Sequence, residues 1–166
     1  MKIRDDHMYH GAALNQVAEH KLFTAINSLK IGRKLYQNAY KINDEIALLL
    51  KYATKETKAH FEFVFTFSKQ QLADLLKVRN GNAKTFVALI CVGAREICCI
   101  SYEELTSMID ARKAAKGAPE DQYTVLVTVP DGKSMRVYVN APGVKMKTLG
   151  KAKIVKRTDF PRRIFG

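Results

Sequence analysis

Residues 46–67 read IALLLKYATKETKAHFEFVFTF, and two strand patterns in them decide the fold class. In the first, Ile46-Ala-Leu-Leu-Leu50, both faces are apolar, as in a central strand of a covered sheet. In the second, Phe61, Phe63, Phe65 and Phe67 alternate with Glu62, Val64 and Thr66, a period of two that puts the phenylalanines on one strand face.

Upstream, Gln37–Ile42 and Glu45–Tyr52 read as paired strands joined at Asn43-Asp44, a dipeptide that tolerates turn geometry. Before them, Leu14, Val17, Ala18, Leu22, Ala25, Ile26 and Leu29 fall on one stripe and predict a helix over Gly11–Leu29. Downstream, Ser68 with Gln71 has capping-box spacing and predicts a helix through Val78. Thr85–Val92 reads as a buried strand that turns at Gly93-Ala94 into Glu96–Ile100. Ser101 with Glu104 opens another helix, carrying Leu105, Met108 and Ile109. After a loop at Lys113–Gln122, Tyr123–Val129 and Ser134–Asn140 flank the hairpin signal Pro130-Asp-Gly-Lys133, and Ala152–Lys156 reads as a further strand. No internal repeat is evident. The expected fold is α/β (α+β): a single mixed sheet flanked by helices, in the order α-βββ-α-ββ-α-ββ, with a basic C-terminal tail. The chain reads as one domain over 1–166, divided into a core at 11–100 and a helix, β-hairpin and tail at 101–166.

With 166 residues, 47% of them hydrophobic, a disordered chain is excluded, and no apolar run approaches the ~20 residues that span a bilayer. The opening MKIRDDHMYH mixes acids and histidines where an export signal needs an apolar stretch, so the expected location is cytoplasmic, without a membrane partner. Three cysteines, Cys91, Cys98 and Cys99, lie in apolar strands; the adjacent pair points to opposite sheet faces, and all three read as structural. There is no Walker-type glycine loop and no G-x-S-x-G serine signature. His7 and His10, with Asp5 or Asp6, have the residue types for zinc or acid–base work, with His20 farther along the chain.

Helix, strands, helix and further strand over Gly11–Ile100, with Lys51 in LLLKYATK, resemble the core of the PD-(D/E)xK nuclease superfamily. The resemblance implies a metal-dependent endonuclease, with a helix acid at Glu19, a strand-start acid at Asp44 or Glu45, and Lys51 as the catalytic lysine. Glu19 and Asp44 would hold Mg2+, whose charge would meet the charge developing on phosphorus. Leu49 stands where that motif has an acid, so Glu62 would be recruited instead or no metal would bind.

Charge gives a different lead. The chain has 28 Lys and Arg against 16 Asp and Glu, a net +12. From Asp131 onward there are ten Lys or Arg against two Asp, so +8 of that charge sits in the last 36 residues. Arg136, Lys145, Lys147, Lys151, Lys153, Lys156, Arg157, Arg162 and Arg163 are the candidate nucleic-acid contacts. If extended, Lys145-Met-Lys147 and Lys151-Ala-Lys153 would form a comb along a phosphate backbone, with Phe160 and Phe165 interleaved for stacking on bases and Tyr138 widening the patch. The expected partner is therefore nucleic acid, with Mg2+ as cofactor only if the chain is a nuclease. A protein-interaction or assembly module, meeting an acidic protein or a second copy of itself, is the alternative.

Overall fold

The computed structural model describes residues 1–166. Helix α1 spans Asp5–Glu19, with Asp5 and Asp6 in its first turn, where acids complement the helix dipole. It ends ten residues before the predicted Leu29, because Asn43 captures the chain that follows. The Asn43 side-chain oxygen accepts hydrogen bonds from Thr24 N (2.7 Å), Thr24 Oγ1 (2.9 Å) and Ala25 N (3.2 Å), and its amide donates to Leu22 O (2.6 Å). Backbone groups held this way cannot continue a helix. Ile26–Ile31 instead becomes strand β1, with Leu29 buried and Ile26 exposed. Asn43 and Asp44 both have positive φ (54° and 60°), the turn conformation expected for that dipeptide.

Strands β2 (Lys34–Ile42) and β3 (Ile46–Ala53) follow, then β4 (Glu62–Ser68), helix α2 (Lys69–Gly81), β5 (Lys84–Cys91) and β6 (Glu96–Ser101). Helix α3 (Tyr102–Lys116) leads into β7 (Gln122–Thr128), β8 (Met135–Tyr138) and β9 (Lys153–Val155). Both predicted capping boxes form. Ser68 Oγ accepts from Gln71 N (3.0 Å) and Ser101 Oγ from Glu104 N (3.1 Å), and each partner's side chain caps the serine N–H in return.

The class is α+β, with a mixed five-stranded sheet in the order β1-β2-β3-β5-β6 and a second, four-stranded sheet in the order β4-β7-β8-β9. The three consecutive strands expected after the first helix are thus divided between sheets. β2 and β3 pair, but β4 leaves for the second sheet and pairs along its whole length with β7 (Glu62↔Thr128 to Ser68↔Gln122). Beside β3 lies β5, parallel in register from Ile46↔Lys84 to Ala53↔Cys91. Three connections join the sheets: the 54–61 loop takes the chain from β3 to β4 of the second sheet, β4-α2-β5 returns it to the first, and β6-α3-β7 carries it over again. Both connecting helices, α2 and α3, start at a serine that closes a strand.

The first sheet is covered on both faces. Ile46, Leu48, Leu50, Ala88, Ile90 and Cys99 pack with Ala13 and Val17 of α1 and with Phe160 and Ile164. On the other face Val87, Leu89, Cys98 and Ile100 meet Phe63, Phe65 and Phe67 of β4, with Leu75, Leu105 and Ile109 from α2 and α3. Both clusters draw on residues before and after position 100, so the tail shares its core with the rest of the chain. No helix is long and apolar enough to cross a membrane.

Because the period-two pattern divides β4 between core and surface, adjacent residues should respond differently to truncation. Phe65, 2% exposed, becoming alanine is expected to cost about 3–5 kcal/mol of unfolding free energy. Val64→Ala on the outer face should change it by about 0.5 kcal/mol or less. Urea denaturation reads both, and equal losses would contradict the assigned faces.

Candidate nucleic-acid interface

The residues expected to form a nuclease centre are not brought together. Asp44 lies in the turn before β3 and Glu45 at its approach, while Lys51 sits near the far end of that strand. Six residues of extended chain separate Glu45 from Lys51, on the order of 20 Å at strand rise. A shared hydrated ion cannot bridge that gap. Glu45 pairs instead with Lys84 at 3.7 Å, and Glu19, at the exposed end of α1, accepts a hydrogen bond from Asn15 at 3.1 Å. Glu62 accepts the Tyr138 hydroxyl across β7, and burial together with the Glu62 charge pushes that phenol well up. No group of three His, Cys, Asp or Glu side chains has metal-holding geometry.

Lys51 turns toward the second sheet. Its Nζ donates to Thr66 O and, at 3.4 Å, to Gln71 Oε1, and it lies 4.5 Å from the Phe67 ring centroid. Burial lowers its pKa from the ordinary lysine value.

The three histidines near the N-terminus are each engaged separately. His7 Nδ1 accepts from Arg4 N at 3.1 Å, closing the first turn of α1. His10 is buried with its ring edge toward Tyr52, and its pKa is lowered by burial against an opposing pull from Asp6. His20 stacks on Phe165, rings 4.3 Å apart and nearly parallel. Cys98 and Cys99 face opposite cores, as the alternation predicts. Burial pushes the Cys91 and Cys99 thiols up to about 12 and Cys98 well above its usual value, so none has thiolate character near neutral pH.

The basic region divides into two sets. Three of its cations are tied into the fold. Arg157 donates to Lys133 O (2.8 Å) and Pro130 O and pairs with Glu96 at 3.0 Å. Arg163 donates to Cys99 O (2.9 Å) and pairs with Glu104, and Lys153 pairs with the same carboxylate. Glu104 also accepts from Ser101 N (3.0 Å), so one largely buried carboxylate joins the start of α3, β9 and the C-terminal turn. The expected stacking residues are structural as well: Phe160 is in the core and Phe165 rests on His20.

The second set remains on the surface. Arg136 projects from the outer face of β8, between Thr128 of β7 and Ile154 of β9. Lys145, Lys147, Lys151 and Lys156 are exposed, and neither they nor Arg136 has an acidic partner within ion-pair distance. Arg162, its side chain 68% exposed, has a loose contact with Asp159 at 3.7 Å.

These side chains follow one edge. From β8 the chain enters a tip closed by the Asn140↔Thr148 bridge and by Ala141 N donating to Lys147 O (2.7 Å), then returns through Lys151 into β9, the edge strand. The comb expected from an extended tail does not form, because Met146 has φ 67° and only Lys153–Val155 is strand. Arg112 of α3 steadies the base of the tip by donating to Asn140 O (2.7 Å) while forked onto Glu120. That arginine, with Lys116, holds the Glu120 carboxyl down to about 2.

Sequence reading found the cations of this edge but could not divide them, since Glu96 and Glu104 lie some 60 residues from the arginines they engage. It missed Asn38, Gln71 and Asp74, which share a cleft with Lys51. Gln71 alone carried a signal, as the third residue of a capping box. Comparison with family models, with curated proteins and with solved structures gave no match.

If Glu104 anchors the tail, Glu104→Ala leaves two cations without their acid and should lower stability by about 3 kcal/mol or more. The 153–166 segment should then become the first site of proteolytic cleavage. Urea denaturation and limited proteolysis check this; a loss under about 1 kcal/mol with the tail still protected would contradict the anchor.

Proposed function

We propose that the protein binds nucleic acid through the phosphate backbone, along the edge formed by β8, the 141–151 tip and β9. The observation that carries this reading is five exposed cations without acidic partners: Arg136 on the outer face of β8, Lys145, Lys147 and Lys151 in the tip that follows it, and Lys156 just after the edge strand β9. Edge-strand lysines commonly guard against aggregation. Here they extend beyond β9 into the tip and onto the face of β8, farther than guarding an edge requires.

The geometry favours phosphate contact over base reading. Both phenylalanines expected to stack on bases are engaged in the fold, and the Tyr138 hydroxyl is held by Glu62. Contacts of this kind fix a protein on a polyanion without carrying sequence information. Binding is therefore expected to be weakly selective for sequence and dominated by counterion release. No catalytic step belongs to this reading, because Glu19, Asp44, Glu45 and Lys51 lie at separate places.

Fluorescence anisotropy with a labelled duplex over a range of salt concentrations tests the proposal. Neutralising about five phosphates gives a slope of log affinity against log salt near −4.5 on duplex, and about −3.5 on single strands. Replacing Lys145, Lys147 and Lys151 by alanine should flatten the duplex slope by about 2–3. An affinity indifferent to salt, or a triple variant with an unchanged slope, would overturn it.

A further inference from the structure

The first sheet is not continuous across its width. The β2–β3 ladder runs from Ile42↔Ile46 to Ala39↔Leu49 and stops there, although both strands continue. β2 goes on pairing with β1, past an irregularity at Ser28/Leu29, and β3 goes on pairing with β5. The two strands therefore part, and a cleft of about 160 Å³ opens between them against α2 and the end of β4. Its apolar lining includes Leu49, Leu50, Phe67, Leu75 and Val78. On the opposite face of the sheet a second depression shares Asn38, Leu50 and Lys51 with it, so the parting is open toward α1 as well.

The polar groups in the cleft are unbalanced in one direction. Lys51 brings an ammonium with no carboxylate in ion-pair range; its partners are a carbonyl, an amide oxygen and an aromatic face. Gln71 uses its side-chain oxygen to accept from Ser68 N and Lys51, which leaves its amide N–H groups to donate. Asn38 adds a second amide at the mouth. The one acid in the lining, Asp74, is already matched by Lys34 at 3.2 Å and Gln70 at 3.1 Å. What remains is a half-buried cation with free donors beside an apolar wall. That arrangement lacks an anion.

Size narrows the class. A dry cavity near 150 Å³ is enough to admit a benzene ring. We propose that this cleft binds a small carboxylic acid with a ring-sized apolar body, its carboxylate on Lys51 and Gln71 and its ring against Phe67, Leu75 and Val78. The burial that lowers the Lys51 pKa also strengthens an ion pair formed there, because fewer waters screen it. This site is separate from the basic edge, and its occupant is too small to be a nucleic-acid strand.

Benzoate is the probe, with benzamide as its neutral counterpart, both titrated into the full chain and followed by calorimetry and by amide chemical shifts. Benzoate is expected to bind with Kd on the order of 1 mM or tighter, shifting amides around Leu50, Phe67 and Gln71. Benzamide should bind at least about tenfold more weakly, as should benzoate to Lys51→Met, which keeps the apolar stem and removes the charge. If that variant does not fold, the benzoate-to-benzamide comparison on the unaltered protein decides alone. Benzoate shifts confined to Lys145–Lys156, equal affinity for the two probes, or no benzoate binding at about ten times the expected Kd would each overturn the assignment.

Discussion

The Glu104 carboxylate is the interaction on which the arrangement of the C-terminal third depends. It closes the capping box of α3 through Ser101 N and receives both Arg163 and Lys153, so one acid fixes a helix start, an edge strand and the last turn of the chain. An acid at the start of a helix is favoured by the dipole, and when largely buried it needs cations close by. Arg163 and Lys153 supply them. With them in place, Phe160 and Ile164 seat in the core against α1 and β3, and the tail becomes part of the fold. The charge left for a partner is what this internal neutralisation does not use.

That division explains why net charge alone misleads about the interface. The nine candidate cations of the C-terminal region look equivalent in sequence, yet Arg157 and Arg163 reach carbonyls and acids far away in the chain, and Lys153 faces Glu104. Lys145, Lys147, Lys151 and Lys156 have no such neighbours. Lys51 is a third case, half-buried over an aromatic ring and turned toward a cleft. One residue type thus takes three roles, set by what the fold places within a few ångströms of the side chain.

The elements legible in the sequence were those governed by local rules. The alternation over Phe63–Phe67 gave the buried face of β4, though Phe61, expected on that face, stands before the strand at φ 54° and is exposed; the serine capping boxes gave the starts of α2 and α3. Long-range competition was not legible. Asn43 takes backbone groups of Leu22, Thr24 and Ala25, ending α1 at Glu19 although the apolar stripe continues to Leu29. A period of two likewise fixes which face a strand buries but not which strand it pairs with, so nothing local to Phe63–Phe67 tells that β4 lies beside β7. Asp44, in the turn before β3, and Lys51, near the far end of that strand, are kept apart by the extended chain between them, a separation that their nearness in sequence does not show.

The central claim is that the free cations of the β8–β9 edge, and not the basic residues generally, meet nucleic acid. Lysine acetylation read by mass spectrometry, with and without a saturating DNA duplex at low salt, tests it most directly. The account predicts protection of Lys145, Lys147, Lys151 and Lys156, with the reactivity of Lys30, Lys55, Lys58 and Lys77 unchanged. Protection centred on those four distant lysines, or spread evenly over the surface, would contradict it.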